Sequence, residues 1–243
     1  LLITGASQGI GKGLSHAFAK EGARVSVIAR RGEKLRSLLE EIGGVRQGHA
    51  FLAMDLMEEG APIAAVQKLM ELQGALDIVI HNLGGTLGIS NPLATMDECA
   101  RVWRLNVGIA MEFNRLVTSG MVKKGWGRLV HISSTSAVDH RGSMAYAAAK
   151  DYLNGYVRAL GRALAPDGVV VSAVMPGGVI AEENHWVQKQ NDTPELIDDF
   201  LRNRQAIGRL GTVDELAPFV MLLASELGSF ANAALVPVDG GCM

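Results

Sequence analysis

Short runs rich in β-branched residues alternate with longer stretches of helical period along the whole chain, and no linker or low-complexity segment interrupts them. Strands that each lead into a helix pair side by side, so this rhythm predicts a parallel sheet. Strands are expected over residues 1–4, 24–29, 50–54, 77–81, 127–132, 169–175 and 235–238. Helices are expected over 9–21, 33–42, 61–72, 97–123, 144–165 and 214–224. About seven strands and six helices in this order give an α/β chain, a single doubly wound Rossmann-type domain with helices on both faces of its sheet. At 243 residues the whole chain, 1–243, suits one such domain and buries a large core without disulfide or metal support.

The 23 basic and 25 acidic residues leave a formal net charge of −2 with no long single-sign run. That balance argues against nucleic acid or a membrane surface as the main partner. Cys99 and Cys242 form no visible pair or metal motif, so a reducing compartment is expected. No apolar run reaches membrane-spanning length and the chain opens in a strand, so the expected location is cytoplasmic.

The first strand-to-helix turn reads Thr4-Gly5-Ala6-Ser7-Gln8-Gly9-Ile10-Gly11. Gly5, Gly9 and Gly11 expose backbone amides beside a helix N-terminus, where a pyrophosphate can bind. The spacing is not the Gly-x-Gly-x-x-Gly of many dinucleotide sites. The same residues also contain Gly5-Ala6-Ser7-Gln8-Gly9, which matches the Gly-x-Ser-x-Gly nucleophile elbow of a serine hydrolase. That elbow follows several earlier strands, whereas Ser7 follows the first, and no partner histidine and acid stand out downstream. Arg30 and Arg31 end the second strand, where dinucleotide-binding folds read the adenosine ribose. An arginine there suits a 2′-phosphate and favours NADP(H) over NAD(H).

Tyr146 and Lys150 stand four residues apart in the helix expected over 144–165, so phenol and ammonium share one face. Leu153, Val157, Leu160 and Leu164 continue that face as an apolar seam, which anchors the pair in the core. Between Pro176 and Leu210 the alternation breaks, and a lid is expected at about 177–210, beyond a strand's carboxyl end where open α/β sheets bind ligands. Thr193-Pro194-Glu195 predicts a single helix in it, over 196–203, with Thr193 as cap. Glu182, Glu183, Asn184, His185, Gln188, Lys189, Gln190 and Asn191 make this lid polar, which leans toward a sugar-like or hydroxylated substrate.

In this order the motifs resemble those of the classical short-chain dehydrogenase/reductase (SDR) family, 3-oxoacyl-carrier-protein reductases among them, over essentially the whole length. Thr4 to Gly11 is similar to the family's Thr-Gly-x-x-x-Gly-x-Gly cofactor turn, and Asp55-Leu56 to the pair that contacts adenine. Asn82-Leu83-Gly84 resembles its Asn-Ala-Gly after strand four, with Leu83 replacing alanine. Asn106 matches the asparagine of helix four, Ser134 the serine of strand five, and Tyr146 with Lys150 the Tyr-x-x-x-Lys pair. Pro176-Gly177 matches the turn after strand six, and Val238-Asp239-Gly240-Gly241 the C-terminal signature. The Ser134-to-Tyr146 interval is one residue shorter than the family's, and Ser133 would restore it. Ser134 is preferred, because the loop after it absorbs a deletion more easily than a central strand changes register. Ala181 stands where many members carry a cofactor-contacting threonine, which leaves the Val179 backbone to hold the nicotinamide carboxamide.

The resemblance implies hydride transfer between NADP(H) and a small-molecule carbonyl or secondary alcohol, with Tyr146 as general acid/base. A free phenol has a pKa of about 10, so acid/base work near neutrality asks for a shift of roughly 3 units. Lys150 is expected to supply it by charge and to bind the ribose hydroxyls, Ser134 to hydrogen-bond the substrate oxygen, and Asn106 to hold a water linking Lys150 to solvent or to satisfy a helix kink. Thr86, His140, Met144, His185 and Trp186 are the candidate substrate contacts. His16, His49 and His131 lack partners at ligand spacing, so no metal is expected. A different class also fits, a dinucleotide-binding sensor that has lost turnover. Lys123-Lys124 with Arg128 reads as a solvated basic turn or as a dock for an acidic carrier protein. Val102, Leu105, Ile109 and Phe113 are expected on the sheet side of the helix over 97–123, and Val107, Met111 and Met121, with Tyr152 and Tyr156, on a second apolar face. A second face implies a partner, and a homotetramer is expected, with a dimer as the fallback.

Overall fold

The structure is a computed structural model and describes residues 1–242. Along the chain β1 (Leu2–Thr4) leads to α1 (Gly9–Lys20) and β2 (Ser26–Ala29) to α2 (Gly32–Glu41). Next come β3 (Ala50–Ala53), α3 (Ala61–Gln73) and β4 (Ile78–His81). Then α4 (Met96–Trp103), a π-helical turn at Arg104–Gly108 and α5 (Ile109–Lys124) form one long rod. After β5 (Gly127–Ile132) a short α6 (Ser136–Asp139) precedes α7 (Met144–Leu164) and β6 (Val169–Pro176). Beyond them lie β7 (Val179–Ile180), α8 (His185–Asp192), α9 (Pro194–Arg204), β8 (Gly211–Thr212), α10 (Val213–Ala224) and β9 (Leu235–Val238).

The main sheet is parallel throughout, in the order β3-β2-β1-β4-β5-β6-β9. Every residue of β5 and β6 is buried, as strands covered on both faces must be, and their apolar runs accordingly lack period-two alternation. One core cluster joins the sheet to α3, α5 and α7, through Leu69, Phe113 and Val157. The other joins it to α1, α2 and α10, through Leu14, Leu38 and Val220. The chain leaves β1 toward β2 on one side and β4 toward β5 on the other, so a crevice opens between the carboxyl ends of β1 and β4.

Four expectations are corrected. The helix expected over 97–123 is broken by the π turn, where Asn106 Nδ2 donates to the Val102 carbonyl at 2.8 Å and satisfies an acceptor that the widened turn frees. Val107 and Met121 do not form an outer apolar face; both are buried. The wide turn brings Val107 inward, and Met121 continues the steps of four set by Phe113 and Val117. Arg128 is no docking cation either: its guanidinium is 2% exposed, lies 4.5 Å over the Trp126 ring, donates to Ser225 O and Ser229 Oγ, and pairs with Glu226. The lid, last, holds two helices instead of one, bracketed by the small parallel β7–β8 sheet.

Candidate active site

The floor of the crevice is set by α7. Ser143 caps this helix by accepting from the Tyr146 amide at 3.3 Å, which fixes the first turn just where Tyr146 projects. Leu153 and Val157 are buried below it and Leu160 and Leu164 pack on the same core, so the apolar seam holds Tyr146 and Lys150 in place as expected. Lys150 is 3% exposed, and its Nζ donates to the Ile132 carbonyl at the end of β5, 2.7 Å away.

The two serines after β5 face opposite ways. Ser133 is buried and donates to Asn154 Oδ1 at 2.7 Å, one turn deeper along α7. Ser134 is half-buried, accepts from the Ser136 amide at 3.1 Å, and its hydroxyl lies close enough to the Tyr146 phenol to favour the ionised form. Asn106 reaches the floor from the π turn. Besides Val102, it donates to Gly85 O at 2.8 Å and accepts from Gly85 N at 3.0 Å. A side chain at Gly84 would meet Asn106 Oδ1 at 2.7 Å and Lys150 Nζ at 3.2 Å, so only glycine lets this backbone close over the pair.

The electrostatics depart from expectation. Burial lowers Lys150 to about 7, so near neutrality it is roughly half charged. Burial also pushes the Tyr146 phenol above its ordinary 10.0, with the nearby Ser134 hydroxyl acting the other way. Lys150 therefore does not pull Tyr146 down by itself; its ammonium is aimed at a backbone carbonyl and lies 5.6 Å from the centre of the tyrosine ring.

The upper part of the crevice is a backbone cradle. Thr4 Oγ1 accepts from the amides of Asn82 and Leu83, while Asn82 Nδ2 donates to the carbonyls of Thr4 and Gly5, at 3.0–3.2 Å. These bonds staple the turn after β1 to the turn after β4. A Cβ on Gly11 would lie 2.5 Å from Asn82 Nδ2, so the staple and the close approach of α1 both demand glycine there. Asn82 and Gly84 thus stand in the cradle, with Gly5, Gly9, Ile10 and Gly11 opposite. Asp55 Oδ1 caps the Met57 amide at 2.9 Å and leaves its second oxygen 3.9 Å from Arg30, whereas Leu56 is buried in the core. Pro176 ends β6, and Gly177 donates to Val238 O at 3.3 Å. Val179 is bridged to Gly211, and its carbonyl accepts from Asn184 Nδ2 at 2.7 Å.

At the rim of the cradle Arg30 and Arg31 separate. Arg30 is 77% exposed. Arg31 turns inward and donates to Ser7 Oγ at 3.1 Å, to Gln8 Oε1 and to Glu183 of the lid at 3.2 Å. Lys34 bonds the same Glu183 carboxylate. The sequence reading missed Lys34, although its i+3 spacing from Arg31 places both on one face at the start of α2. A hydroxyl, an amide group and two cations converge here, which is the donor set a phosphate uses. With the glycine amides beside them, these residues fit a phosphorylated dinucleotide. The guanidinium also argues against the nucleophile elbow, since Ser7 faces a group that cannot accept its proton.

The candidate substrate contacts are dispersed. His140, in a left-handed conformation after α6, lies 4.0 Å from Asp151. Met144 is exposed at the start of α7. Thr86 Oγ1 accepts from the Gly88 amide within its own turn. The His185 and Trp186 rings lie 4.7 Å apart on the lid, tilted by 40°, and Trp186 packs against Phe200 at 4.5 Å, tilted by 47°. Most of the lid's polarity is otherwise spent. Glu182 pairs with Lys12, Glu183 with the rim cations, and Asn184 caps α8, while Gln188, Lys189, Gln190 and Asn191 are exposed. The lean toward a hydroxylated substrate loses its basis with them. Thr193 precedes α9 but makes no side-chain cap; its hydroxyl donates back to Lys189 O. An unforeseen ion pair, Arg204–Asp139, ties α9 to α6.

Known proteins share this architecture. A family profile described as short chain dehydrogenase matches residues 1–192. The chain is 31% identical to the 3-oxoacyl-(acyl-carrier-protein) reductase FabG of Pseudomonas aeruginosa, over 99% of its own length and 95% of that protein's. It is 30% identical to the 2-dehydro-3-deoxy-L-rhamnonate dehydrogenase (NAD(+)) of a Sphingomonas strain, with 99% and 93% covered. The crystal structure of L-sorbose reductase from Gluconobacter frateurii, complexed with NADPH and L-sorbose, aligns with a TM-score of 0.90 at 25% identity, over 99% of this chain and 95% of that one. The chain belongs to the short-chain dehydrogenase family, and it is an NAD(P)-binding oxidoreductase of that family.

Proposed function

We propose that this protein interconverts a carbonyl and a secondary alcohol by hydride transfer with NADP(H), and that Tyr146 is its general acid/base. The observation that carries the reading is the meeting of Asn106 and Lys150 at the backbone of Gly84 and Gly85, with Tyr146 one turn before Lys150 on α7 and the Ser134 hydroxyl close enough to its phenol to act on it. The cofactor would be held by Gly5, Ser7, Gln8, Gly9, Ile10 and Gly11, by Arg30, Arg31 and Lys34 at the ribose, and by Asp55, Leu56, Asn82, Gly84, Lys150, Pro176, Gly177 and Val179. When bound, it supplies the hydride in reduction or accepts it in oxidation. In reduction Tyr146 gives its phenolic proton to the carbonyl oxygen and is left as a phenolate, which Lys150 stabilises by charge. Ser134 hydrogen-bonds the same oxygen while negative charge builds there.

The preference for NADP(H) rests on Arg31, Lys34 and Ser7. The L-sorbose reductase was solved with NADPH, whereas the Sphingomonas relative is named for NAD(+), so the ribose pocket of this chain carries the argument alone. The substrate is a small ketone or alcohol, of the 3-oxoacyl or the sugar and polyol class. Consumption of NADPH with a panel of 3-oxoacyl thioesters and keto-sugars tests the reading. Tight NADPH binding without turnover on any member would instead support the sensor.

The same proposal includes a homotetramer. Phe219, Leu222, Leu227 and Phe230 are exposed around α10 and the edge strand β9, and Tyr152 is 49% exposed against Trp103 on the far side. Light scattering that gave a single-chain particle with full activity would overturn this part.

A further inference from the structure

The start of the lid lies across both phosphate-recognition positions of the cradle. Glu182 O accepts from the Gly9 amide at 3.0 Å, the first residue of α1, and Gln8 Nε2 donates to Glu183 O at 3.2 Å. The Glu183 carboxylate accepts from Arg31 and from Lys34, while Arg31 reaches on to Ser7. Glu183 adopts φ +55°, a left-handed conformation uncommon outside glycine, and the Asn184 bond to Val179 O pins the chain just beyond it. The neighbouring Glu182 sends its carboxylate elsewhere, to Lys12 at 2.9 Å. One acidic residue of the lid thus stands where two cations and a hydroxyl would otherwise receive a phosphate monoester.

We infer that Glu183 sets how strongly the site distinguishes NADP(H) from NAD(H), as an internal carboxylate ligand of Arg31 and Lys34 that the 2′-phosphate must displace. This rests on the cofactor reading above. A ligand that competes with an internal group binds more weakly by the fraction of time its site is free. The Gly9–Glu182 bond opens for either cofactor and so affects both alike. The Glu183 bonds oppose only the one that carries a phosphate, because a free 2′-hydroxyl can donate to a carboxylate where it stands. Glu183 therefore narrows the preference that Arg31 and Lys34 create, and phosphate binding frees this end of the lid from the rim.

Calorimetric titration with NADPH, NADH, 2′,5′-ADP and 5′-AMP tests this, using wild type, Glu183→Gln and Glu182→Gln. Glu183→Gln is expected to bind NADPH and 2′,5′-ADP about threefold to tenfold more tightly, the range for two partly exposed ion pairs, with no gain for NADH or 5′-AMP. Glu182→Gln removes the same charge one residue away and should leave the ratio of NADPH to NADH affinity unchanged. Adding Arg31→Ala and Lys34→Ala together to Glu183→Gln should erase the gain, since Glu183 acts on the phosphate through these two cations. A wild type that prefers NADPH, with Glu183→Gln showing the same ratio, overturns the competition and leaves the cofactor reading standing. If neither protein distinguishes the phosphorylated ligands from the others, both fall. An equal gain in Glu182→Gln would reduce the effect to net charge and also defeat the inference.

Discussion

At the floor of the crevice Lys150 is 3% exposed and donates to a backbone carbonyl, and Asn106, 2% exposed, has its amide group bonded entirely to backbone. At the rim Arg31 and Lys34 have side chains 43% and 36% exposed and hold a carboxylate from a residue about 150 positions away in sequence. Buried hydrogen bonds to backbone are costly to break, because each lost partner leaves an unsatisfied group. Partly exposed ion pairs are weak and exchangeable. The floor therefore holds its polar groups still, whereas the rim holds its carboxylate by contacts weak enough for another anion to replace.

The largest effects should separate these two regions by what they change. Tyr146→Phe removes the phenolic proton and keeps the ring, so turnover is expected to fall about a thousandfold with NADPH affinity unchanged. Arg31→Ala should do the reverse, weakening NADPH about tenfold through loss of a charge-assisted bond while turnover at saturation holds. Steady-state kinetics and direct cofactor titration on both variants check the crossing. If Tyr146→Phe kept near-wild-type turnover, the acid/base assignment would be lost. If Arg31→Ala lowered turnover but not affinity, the division between floor and rim would be lost.

Stability should divide the same way. Asn106→Ala strips partners from Val102 O and from both backbone groups of Gly85, so about 3 kcal/mol of destabilisation is expected. In a chain of this size that corresponds to a fall in Tm of roughly 6–10 °C. Lys12→Ala, which cuts the rim pairs to Glu41 and Glu182, should stay within about 0.5 kcal/mol. Thermal unfolding of the two variants side by side is the measurement. Equal losses would mean that the lid's ion pairs stabilise the fold as strongly as the floor does.

The floor was also the more legible half. Parallel strands buried on both faces leave mainly apolar runs without period-two alternation, and a helix that anchors polar groups in the core repeats its seam every three or four residues, so β6, the Leu129-Val130 centre of β5 and the Tyr146 face of α7 could be read directly. The π turn could not. Arg104-Leu105-Asn106-Val107-Gly108 looks like any helix, and the reason for its widening lies 21 residues away, in the backbone of Gly85. The choice between Ser133 and Ser134 had a usable signal, since Asn154 follows Lys150 by one turn and claims the deeper serine. At the rim the signal is non-local. Nothing in the sequence near Arg31 or Lys34 announces Glu183, and α8 is so polar that it carries no apolar period, only the Asn184 cap. Contacts made by long charged side chains across the fold leave no periodic trace.

The remaining expected effect concerns pH, and it places the two regions in different windows. His81 and His131 stack 4.5 Å apart in the interior, with Asn114 bonded to His81 at 2.7 Å. Burial holds His81 down at about 4 and His131 well below its ordinary 6.5. Both are therefore neutral in the folded protein. Between about 6.5 and 4 the unfolded chain binds protons that the folded one refuses, so stability falls as pH falls through that window. Over the upper part, from about 6.5 to 5, His81 alone should account for roughly 2 kcal/mol. On the lid side of the molecule Glu215 titrates lower. Its bonds from Arg209 and the Thr212 amide hold it near 2, and the stability it contributes above 4.5 is lost only as pH drops toward that value. Urea unfolding across this range should show the first loss well above the second, and His81→Gln, which keeps a polar partner for Asn114, should flatten only the first. A wild-type profile that stayed level from pH 7 to about 5 would mean that water reaches the histidine pair, and that the floor is less sealed than its burial implies.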